Sequence, residues 1–524
     1  MSPAPISSTG LSAIDWIIVA VYATSTIVLG WWFGRKQEST KEYFVGSGNM
    51  NWMLIGVSLF ATLLSTISYL SMPGEVIGKG PIYLTNLLAY PFIFIIVGYV
   101  LLPVYMKHRV TSAYELLENK LGISIRLLGV FMFLALRLIW MSLLVFLAAK
   151  AMIVMIGVDE KWIPVIVLVT GIVSVTYTTL GGLKAVVITD LIQTILLFGG
   201  ALLVIAMVTR DFGGFGWFPT EWHDNWDNQP IISLDPSTRI TVVGTILSVF
   251  VWYVCTSGGD QVSIQRFMAT TDAKAARKAF ATQLVVGATV GVTLGFVGVS
   301  LLGYFQAHPE ALPDGMNLKT KADEIFPQFI AFHLPPGVSG IVIAAMFAAA
   351  MSSIDSGVNS ITAVVTTDLL DRFGVSRFGF GKYSFSTKTE KGHILMARLL
   401  ALGIGLFIVC FSPFMGIISG NITAMTGKTV NLFVPLIFCL FFFALFVKFS
   451  KPAGVWAGWF CGLVTAILIA FSGPIFITDF DPEIHTDPIS FQWTGPIALL
   501  VNIIVGTGVS YVLSRSDSSP ESDA

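Results

Sequence analysis

Phe347–Ser360, FAAAMSSIDSGVNS, lies inside an apolar run at about 336–370 that is long enough to cross a bilayer, yet it carries Ser352, Ser353, Asp355, Ser356, Asn359 and Ser360. Hydrocarbon offers these groups no hydrogen bonds, and a charged side chain at the bilayer centre costs roughly 2.5–3.5 kcal/mol on insertion scales. Ala349, Ser352, Ser353 and Ser356 recur at i, i+3, i+4 and i+7, so they share one helix face, and Asp355 and Asn359 continue the stripe. Hydroxyl, carboxylate and carbonyl oxygens are hard donors, suited to alkali and alkaline-earth cations rather than soft metals. The alternative for the serines is a helix–helix contact of the kind common in membranes. For packing alone a carboxylate is excessive.

The rest of the chain agrees with a membrane setting. Of 524 residues, 55% are hydrophobic and 12% charged, and the mean hydropathy is +0.80, whereas a soluble chain carries roughly 25% charged residues. Cys255, Cys410, Cys439 and Cys461 all fall in apolar segments, so no disulfide framework is implied. The scattered histidines offer no transition-metal spacing, and the N-terminus lacks the basic start of a signal peptide. Runs able to cross the roughly 30 Å core occur near 11–33, 52–78, 82–106, 127–157, 162–179, 185–209, 240–258, 280–303, 336–370, 394–415, 425–447, 453–472 and 493–513, which predicts an all-α polytopic protein of about thirteen transmembrane helices.

If the spans alternate, one side collects Arg35, Lys36, Lys41, Lys107, Arg109, Lys120, Arg126, Lys184, Arg266, Lys274, Arg277, Lys278, the group from Arg372 to Arg398, Lys448, Lys451 and Arg515. The other holds few, among them Lys161, Arg210, Arg239, Lys319 and Lys321. The positive-inside rule then puts the N-terminus outside and the C-terminus in the cytoplasm, and the plasma (cell inner) membrane is the expected location. The longest outside loop, 211–239, is rich in aromatic and acidic residues, fit either to cap a vestibule or to lie in the interface. The tail SRSDSSPESDA is expected to be disordered.

Two further spans are polar and rich in helix breakers at their centres: GVSLFATLLSTISYLSMPGE (Gly56–Glu75) and VWYVCTSGGDQVSIQR (Val251–Arg266). They are helices two and seven, five spans apart. Interrupted helices at matching places in two halves point to an inverted-repeat transporter, in which unwound backbone carbonyls hold sodium.

At these motifs the chain resembles the sodium:solute symporter family of sugar, proline, iodide and monocarboxylate cotransporters. The likeness is carried by LPVYMKHRVTSAYELLENKLG (Leu102–Gly122), YTTLGGLKAVVITDLIQTILLFGG (Tyr177–Gly200), GGDQVSIQRFMATTDAKAARKA (Gly258–Ala279) and AAAMSSIDSGVNSITAVVTTDLL (Ala348–Leu370). The resemblance implies a LeuT-like core of two inverted five-helix repeats, at 52–209 and 240–447. An extra helix and first loop (1–51) would precede it, the loop 210–239 would join the halves, and two C-terminal helices (448–513) and the tail (514–524) would follow.

It also implies a sodium site made by the carbonyls of Ala61, Leu64 and Ala349 and the hydroxyls of Ser352 and Ser353. A second cation site would use Asp190, Ser352, Ser356 and the position of Asp355, where a carboxylate replaces the family's hydroxyl. Ser68, Tyr253, Gly287 and Gly427 depart from the sugar pattern, while Met72–Gly80 and Leu102–Glu118 look closer to the branch that mostly moves anions. Substrate-binding candidates are Ser65, Ser68, Trp140, Trp252, Tyr253 and Gly427, with the intramembrane cations Arg137 and Lys428. An arginine can grip a carboxylate bidentately; the alternative is internal pairing, for Arg137 with Glu75 or Asp190.

The function expected is therefore sodium-coupled symport of a small organic solute, an anion such as a monocarboxylate ahead of a sugar, polyol or amino acid. Proton coupling through Asp190 or Asp355 is the runner-up. Sodium, the solute and the lipid bilayer are the expected partners; no organic cofactor or nucleic acid is expected, and the sequence does not fix the oligomeric state. A channel would also tolerate broken helices, and a sensor would need a signalling domain for which the chain beyond residue 513 is too short. No nucleophile–base pair or phosphate loop argues for an enzyme.

Overall fold

The computed structural model describes the chain apart from residues 1–9, 35–42, 45–47, 109, 314, 375–376, 381–382, 387–388, 418–421, 481–486 and 517–524. The basic residues Arg35, Lys36, Lys41, Arg109, Lys382 and Lys388, and most of the C-terminal tail, lie outside the described residues.

In chain order the helices are α1 (Ala13–Gly34), α2 (Trp52–Leu63), α3 (Thr66–Gly78), α4 (Pro81–Tyr105, of mixed helical pitch), α5 (Glu115–Leu121), α6 (Ile123–Ile156), α7 (Ile163–Asp211), α8 (Val242–Gly259), α9 (Gln261–Met268) and α10 (Ala273–Ala307). After them come α11 (Ala322–Phe332), α12 (Val338–Val364), α13 (Glu390–Phe411), α14 (Ile422–Asn431), α15 (Val434–Phe446), α16 (Pro452–Ala470) and α17 (Thr494–Ser516). Between α12 and α13, β1 (Arg377–Phe380) pairs antiparallel with β2 (Tyr383–Ser386) in a small hairpin.

Among the described residues eleven helices are long and apolar enough to cross a membrane, and the bent pair α2–α3 makes a twelfth span. Thirteen is not reached on those criteria. The span expected at 162–179 is the first limb of α7, continuous with the second except at Gly182, whose φ of 62° and ψ of 179° put a kink there. A left-handed φ is open to glycine at little cost.

Both predicted breaks are present. Asn51 starts α2 by accepting the Met53 amide (2.8 Å), but Leu64 and Ser65 turn to extended backbone and α3 leaves at 65°. The second break is Asp260, extended between α8 and α9, whose carboxylate caps α9 by accepting the Val262 amide at 3.0 Å.

The bundle is organised around α12, which is buried along nearly its whole length. A helix with no solvated face must satisfy its polar groups against its neighbours. At its start, Asp15 of α1 accepts the amides of Gly337 (2.8 Å) and Gly340 (2.7 Å), orphan donors of a helix N-terminus. Gly340 permits this approach, since a Cβ there would stand 2.7 Å from the Asp15 Cα.

The two ends of the bundle are fastened by ion pairs. At one, Arg239 forks onto Glu75 (2.6 and 2.8 Å) and loop 211–239 folds inward, burying Trp217 and Trp226. The same loop leaves Phe215, Phe218, Trp222, Ile232 and Leu234 exposed. At the other, Arg126 bridges Asp368 and Glu118 (2.6 Å each), and Arg372 also grips Glu118. The Arg372 and Arg126 guanidiniums hold the Glu118 carboxyl down at about 2.

Close packing of α2 on α10 yields a direct check. A Cβ on Gly56 would meet the Ala279 carbonyl oxygen and the Thr282 Cβ at 2.5 Å, whereas Gly291 has open space. Overpacking costs typically 1–3 kcal/mol, an order of magnitude that holds roughly across cores. Gly56→Ala should therefore lower the melting temperature of the detergent-solubilised protein, and Gly291→Ala should leave it unchanged or raised.

Candidate cation-binding site

The break after α2 creates acceptors. The last four carbonyls of a helix have no intrahelical partner, and for α2 these fall at Ala61 to Leu64. Across from them runs the hydroxyl stripe of α12. Ser353 Oγ reaches the Thr62 carbonyl at 3.3 Å, Thr62 Oγ1 and Ser356 Oγ are 2.9 Å apart, and Thr66 Oγ1 donates to the Met346 carbonyl at 3.2 Å. The end of α2, the start of α3 and the serine face of α12 thus meet along one seam.

Asp190, on the second limb of α7, faces the same stripe. Its Oδ1 accepts Ser352 Oγ (2.5 Å) and its Oδ2 accepts Ser58 Oγ (2.5 Å). The third partner is one the sequence reading did not place here. Arg266 of α9, counted above among loop charges of the basic side, is fully buried and points into this cluster. Its Nε donates to Ser58 Oγ (2.8 Å), its NH2 to Ser356 Oγ (2.5 Å), and the same nitrogen stands 3.5 Å from Asp190 Oδ2. The reason for the correction is topological: α9 continues beyond the break at Asp260, so Arg266 is still inside the bundle when the sequence count has it leaving. Its signal was its own position, two turns past a Gly-Gly-Asp break.

So Asp190, Ser352, Asp355 and Ser356 do come together, around a guanidinium. Ser356 Oγ lies 3.4 Å from Asp355 Oδ1, and Asp355 contributes to the electrostatic environment of Arg266. Ser360, one turn on, donates to Gln265 Oε1 at 2.8 Å, tying α9 to α12 a second time.

The two cations proposed for a substrate anion are both internally paired. Arg137 is bonded through NH2 to Asp260, the residue at the break between α8 and α9, rather than to Glu75 or Asp190. Its buried Nε has no hydrogen-bond partner. Lys428 on α14 pairs with Asp487 at 2.5 Å. Gly427 is covered by Phe491, with a would-be Cβ 2.5 Å from that ring. Ser65 is buried with a free hydroxyl at the α2–α3 break, and Ser68 is half-buried one turn on. Trp252 stacks edge-on against Tyr253, whose hydroxyl meets that of Tyr90 at 3.2 Å beside Gly287. Trp140 packs between two core clusters near Ile67 and Met425.

Comparison with known proteins gives this geometry a family. A model described as the sodium:solute symporter family matches residues 43–462. The sodium/sialic acid symporter of Proteus mirabilis is 27% identical over 407 residues, covering 75% of this chain and 76% of that one. The human sodium-coupled monocarboxylate transporter 2 is 27% identical over 518 residues, covering 96% and 78%. Among solved structures, a substrate-bound, outward-open Na⁺-coupled sialic acid symporter superposes with a TM-score of 0.77 at 24% identity, covering 96% of this chain and 98% of that one. That likeness shows the fold, a LeuT-like one.

The buried pair makes a measurable prediction. Removing one partner of a buried ion pair costs about 3–5 kcal/mol, because a charge is left unanswered, while replacing both can be neutral. Arg266→Met should strongly reduce the thermal stability or yield of folded protein, and Arg266→Met with Asp190→Asn should recover most of the loss. A single variant that melts with the parent would remove the pair from the stability argument.

Proposed function

The chain belongs to the sodium:solute symporter family, and from that premise we propose that the solute it carries with sodium is a small organic anion. The chain is a multi-span membrane symporter, not an enzyme, and sodium is its coupling ion. The observation that carries the anion reading is Arg137. It lies in mid-span at the break of the second interrupted helix, engaged through NH2 alone, with an unused Nε–H beside the bonded edge. A planar guanidinium offers paired donors that match a carboxylate. The relatives named above, for sialic acid and for monocarboxylates, carry acids by their names, in keeping with this.

The sodium ligands we propose are the carbonyls of Ala61, Leu64 and Ala349 with the hydroxyls of Ser352 and Ser353. The ion would tie the broken α2–α3 span to α12, and that ordering would complete the solute pocket near Ser65, Ser68, Arg137, Tyr253 and Trp252. Trp140 would stand behind it. Lys428, held by Asp487, would act on the covering loop more than on the solute. Release would follow rocking about this seam, with the Glu75–Arg239 and Arg126–Asp368 contacts closing alternate ends. With the N-terminus outside, as the charge bias suggests, each sodium moved inward gains about 2.3 kcal/mol per 100 mV.

Three measurements test this. In proteoliposomes with an inward sodium gradient, labelled monocarboxylates and sialic acid should be taken up in sodium and not in potassium, and hexoses in neither; sodium-driven hexose uptake would discard the anion reading. Ser352→Ala with Ser353→Ala should abolish the sodium stimulation while leaving the fold intact. Arg137→Lys keeps the charge but not the fork, and hydrogen bonds to charged groups are worth about 1.5–3 kcal/mol. The KM for the acid should therefore rise roughly ten- to hundredfold, with kcat less affected.

A further inference from the structure

The helices α16 and α17 follow the two repeats expected from the sequence, yet the segment that leads into α17 lies against the core. Asp487 to Trp493 runs across the end of the bundle that carries the Glu75–Arg239 fork. Ser490 donates its amide to the Pro236 carbonyl (2.8 Å) and its hydroxyl to the Arg239 carbonyl (2.5 Å). Gln492 is buried with both ends of its side-chain amide in use: Nε2 donates to Thr245 Oγ1 (2.6 Å) and Oε1 accepts the Thr241 amide (3.2 Å), both at the start of α8. Between these two residues Phe491 packs with Ile82, Ile240 and Ala424, and its ring lies 5.9 Å from the Arg239 guanidinium, inside cation–π range.

The other attachment is to α14. The Phe491 ring rests on Gly427, where a side chain would collide with it. Asp487 pairs with Lys428 at 2.5 Å and also accepts the Gly473 amide at 3.2 Å. The two attachments differ in kind. Undoing the Gln492 bonds would strand a buried amide. The Lys428 and Asp487 side chains keep 18% and 19% of their surface exposed, so water can take over both charges when they part. The segment is thus fixed to α8 and releasable from α14. The helix it would release is ten residues long and ends at a break before α15, where Pro435 has no amide to continue the ladder. It can therefore tilt with little disturbance to α15.

We propose that Asp487–Trp493 is a strap that positions α14 for transport. Gln492 anchors it on α8, while the Asp487–Lys428 pair and the Phe491–Gly427 contact hold α14 against the core and let it go when the vestibule opens at this end. Asp487 and Gln492 are positioning residues, acting through α14 and not on the solute. The strap rests on the alternating-access reading above and gives the last two helices a part in the cycle.

The test needs no solute. A cysteine under the strap, Ala424→Cys, is labelled with a bulky maleimide in the full chain in lipid nanodiscs, and the rate of the chain without that cysteine is subtracted. Asp487→Asn frees the α14 end, and Thr245→Val removes the acceptor of Gln492. Each should speed labelling by about two- to fivefold, the population shift expected when one half-buried contact is lost from one of two states. Exchanging the charges, Asp487→Lys with Lys428→Asp, should return the rate towards the parent's, which a general loosening of the fold would not do. Rates equal to the parent's in both Asp487→Asn and Thr245→Val would overturn the strap. So would fast labelling in Asp487→Asn that the exchanged protein, folded by its melting temperature, still shows. If the exchanged protein does not fold, Thr245→Val, which alters no charge, decides alone. A parent labelled at one rate with and without sodium and a transported acid would count against alternating access instead, and faster labelling in the two variants would still stand for the strap.

Discussion

A guanidinium that cannot reach water must be answered by the protein around it, and Arg266 is answered from three other helices at once. It rises from α9, donates to Ser58 on α2 and to Ser356 on α12, and faces Asp190 on α7. Desolvating two such ions costs several kcal/mol each, recovered only where geometry is good and the remaining donors are satisfied. The helices therefore have one arrangement in which the node closes. Both interrupted spans are held at it, α2 directly and α9 as its source, so the two breaks are fixed relative to each other through α12, the most buried of the membrane-spanning helices among the described residues.

The same logic recurs at each end of the bundle. Glu75 on α3 is met by the Arg239 fork, and Asp368, where α12 runs out, by Arg126. Such pairs add little net stability over well-packed apolar residues, but they are directional and can be broken by rearrangement, which packing of the same area cannot be without leaving a void. An alternating mechanism needs contacts of this type at its two ends and a seam between them whose polar groups are complementary to an ion. The α2–α12 seam has orphan carbonyls on one side and hydroxyls on the other.

Much of this was legible in the chain. Spans follow from length and apolarity, and the breaks at Leu64–Ser65 and at Asp260 from polar, Pro- and Gly-rich centres where lipid permits none without compensation. The stripe on α12 follows from helical periodicity. Legibility fails where distance in sequence enters. Arg137 and Asp260 are 123 residues apart, and Arg239 and Glu75 are 164 apart; no periodicity links them, so the alternative of internal pairing for Arg137 named Glu75 or Asp190 where the partner is Asp260. Arg266 failed for another reason. Counting basic residues by side assumes that a helix ends where its apolar run ends, and α9 is amphipathic yet buried, its polar face turned to Asp190 rather than to water. Between the spans expected at 162–179 and 185–209 the structure has a kink at Gly182, one glycine in a left-handed conformation that separates two helical limbs.

The pairing of Arg137 with Asp260 bears on how such a site can work when empty. An arginine held bare in mid-membrane would cost the protein heavily in every cycle without solute, and the same arginine clasped by a bidentate carboxylate would have that edge of its fork already occupied. Here one nitrogen is engaged and the neighbouring Nε–H is not. For the proposed anionic solute, an incoming carboxylate would share the fork at first and compete for the bonded edge afterwards, so the charge would never be uncompensated. Competition with a tethered carboxylate also caps affinity, which suits a carrier that has to release its solute on the far side. If Asp260 yields, the capped start of α9 loses the carboxylate that accepts the Val262 amide, and α9 is the helix that carries Arg266. Under the proposed reading, solute at Arg137 and the Asp190–Arg266 pair would then be coupled through a single eight-residue helix, with one end at each.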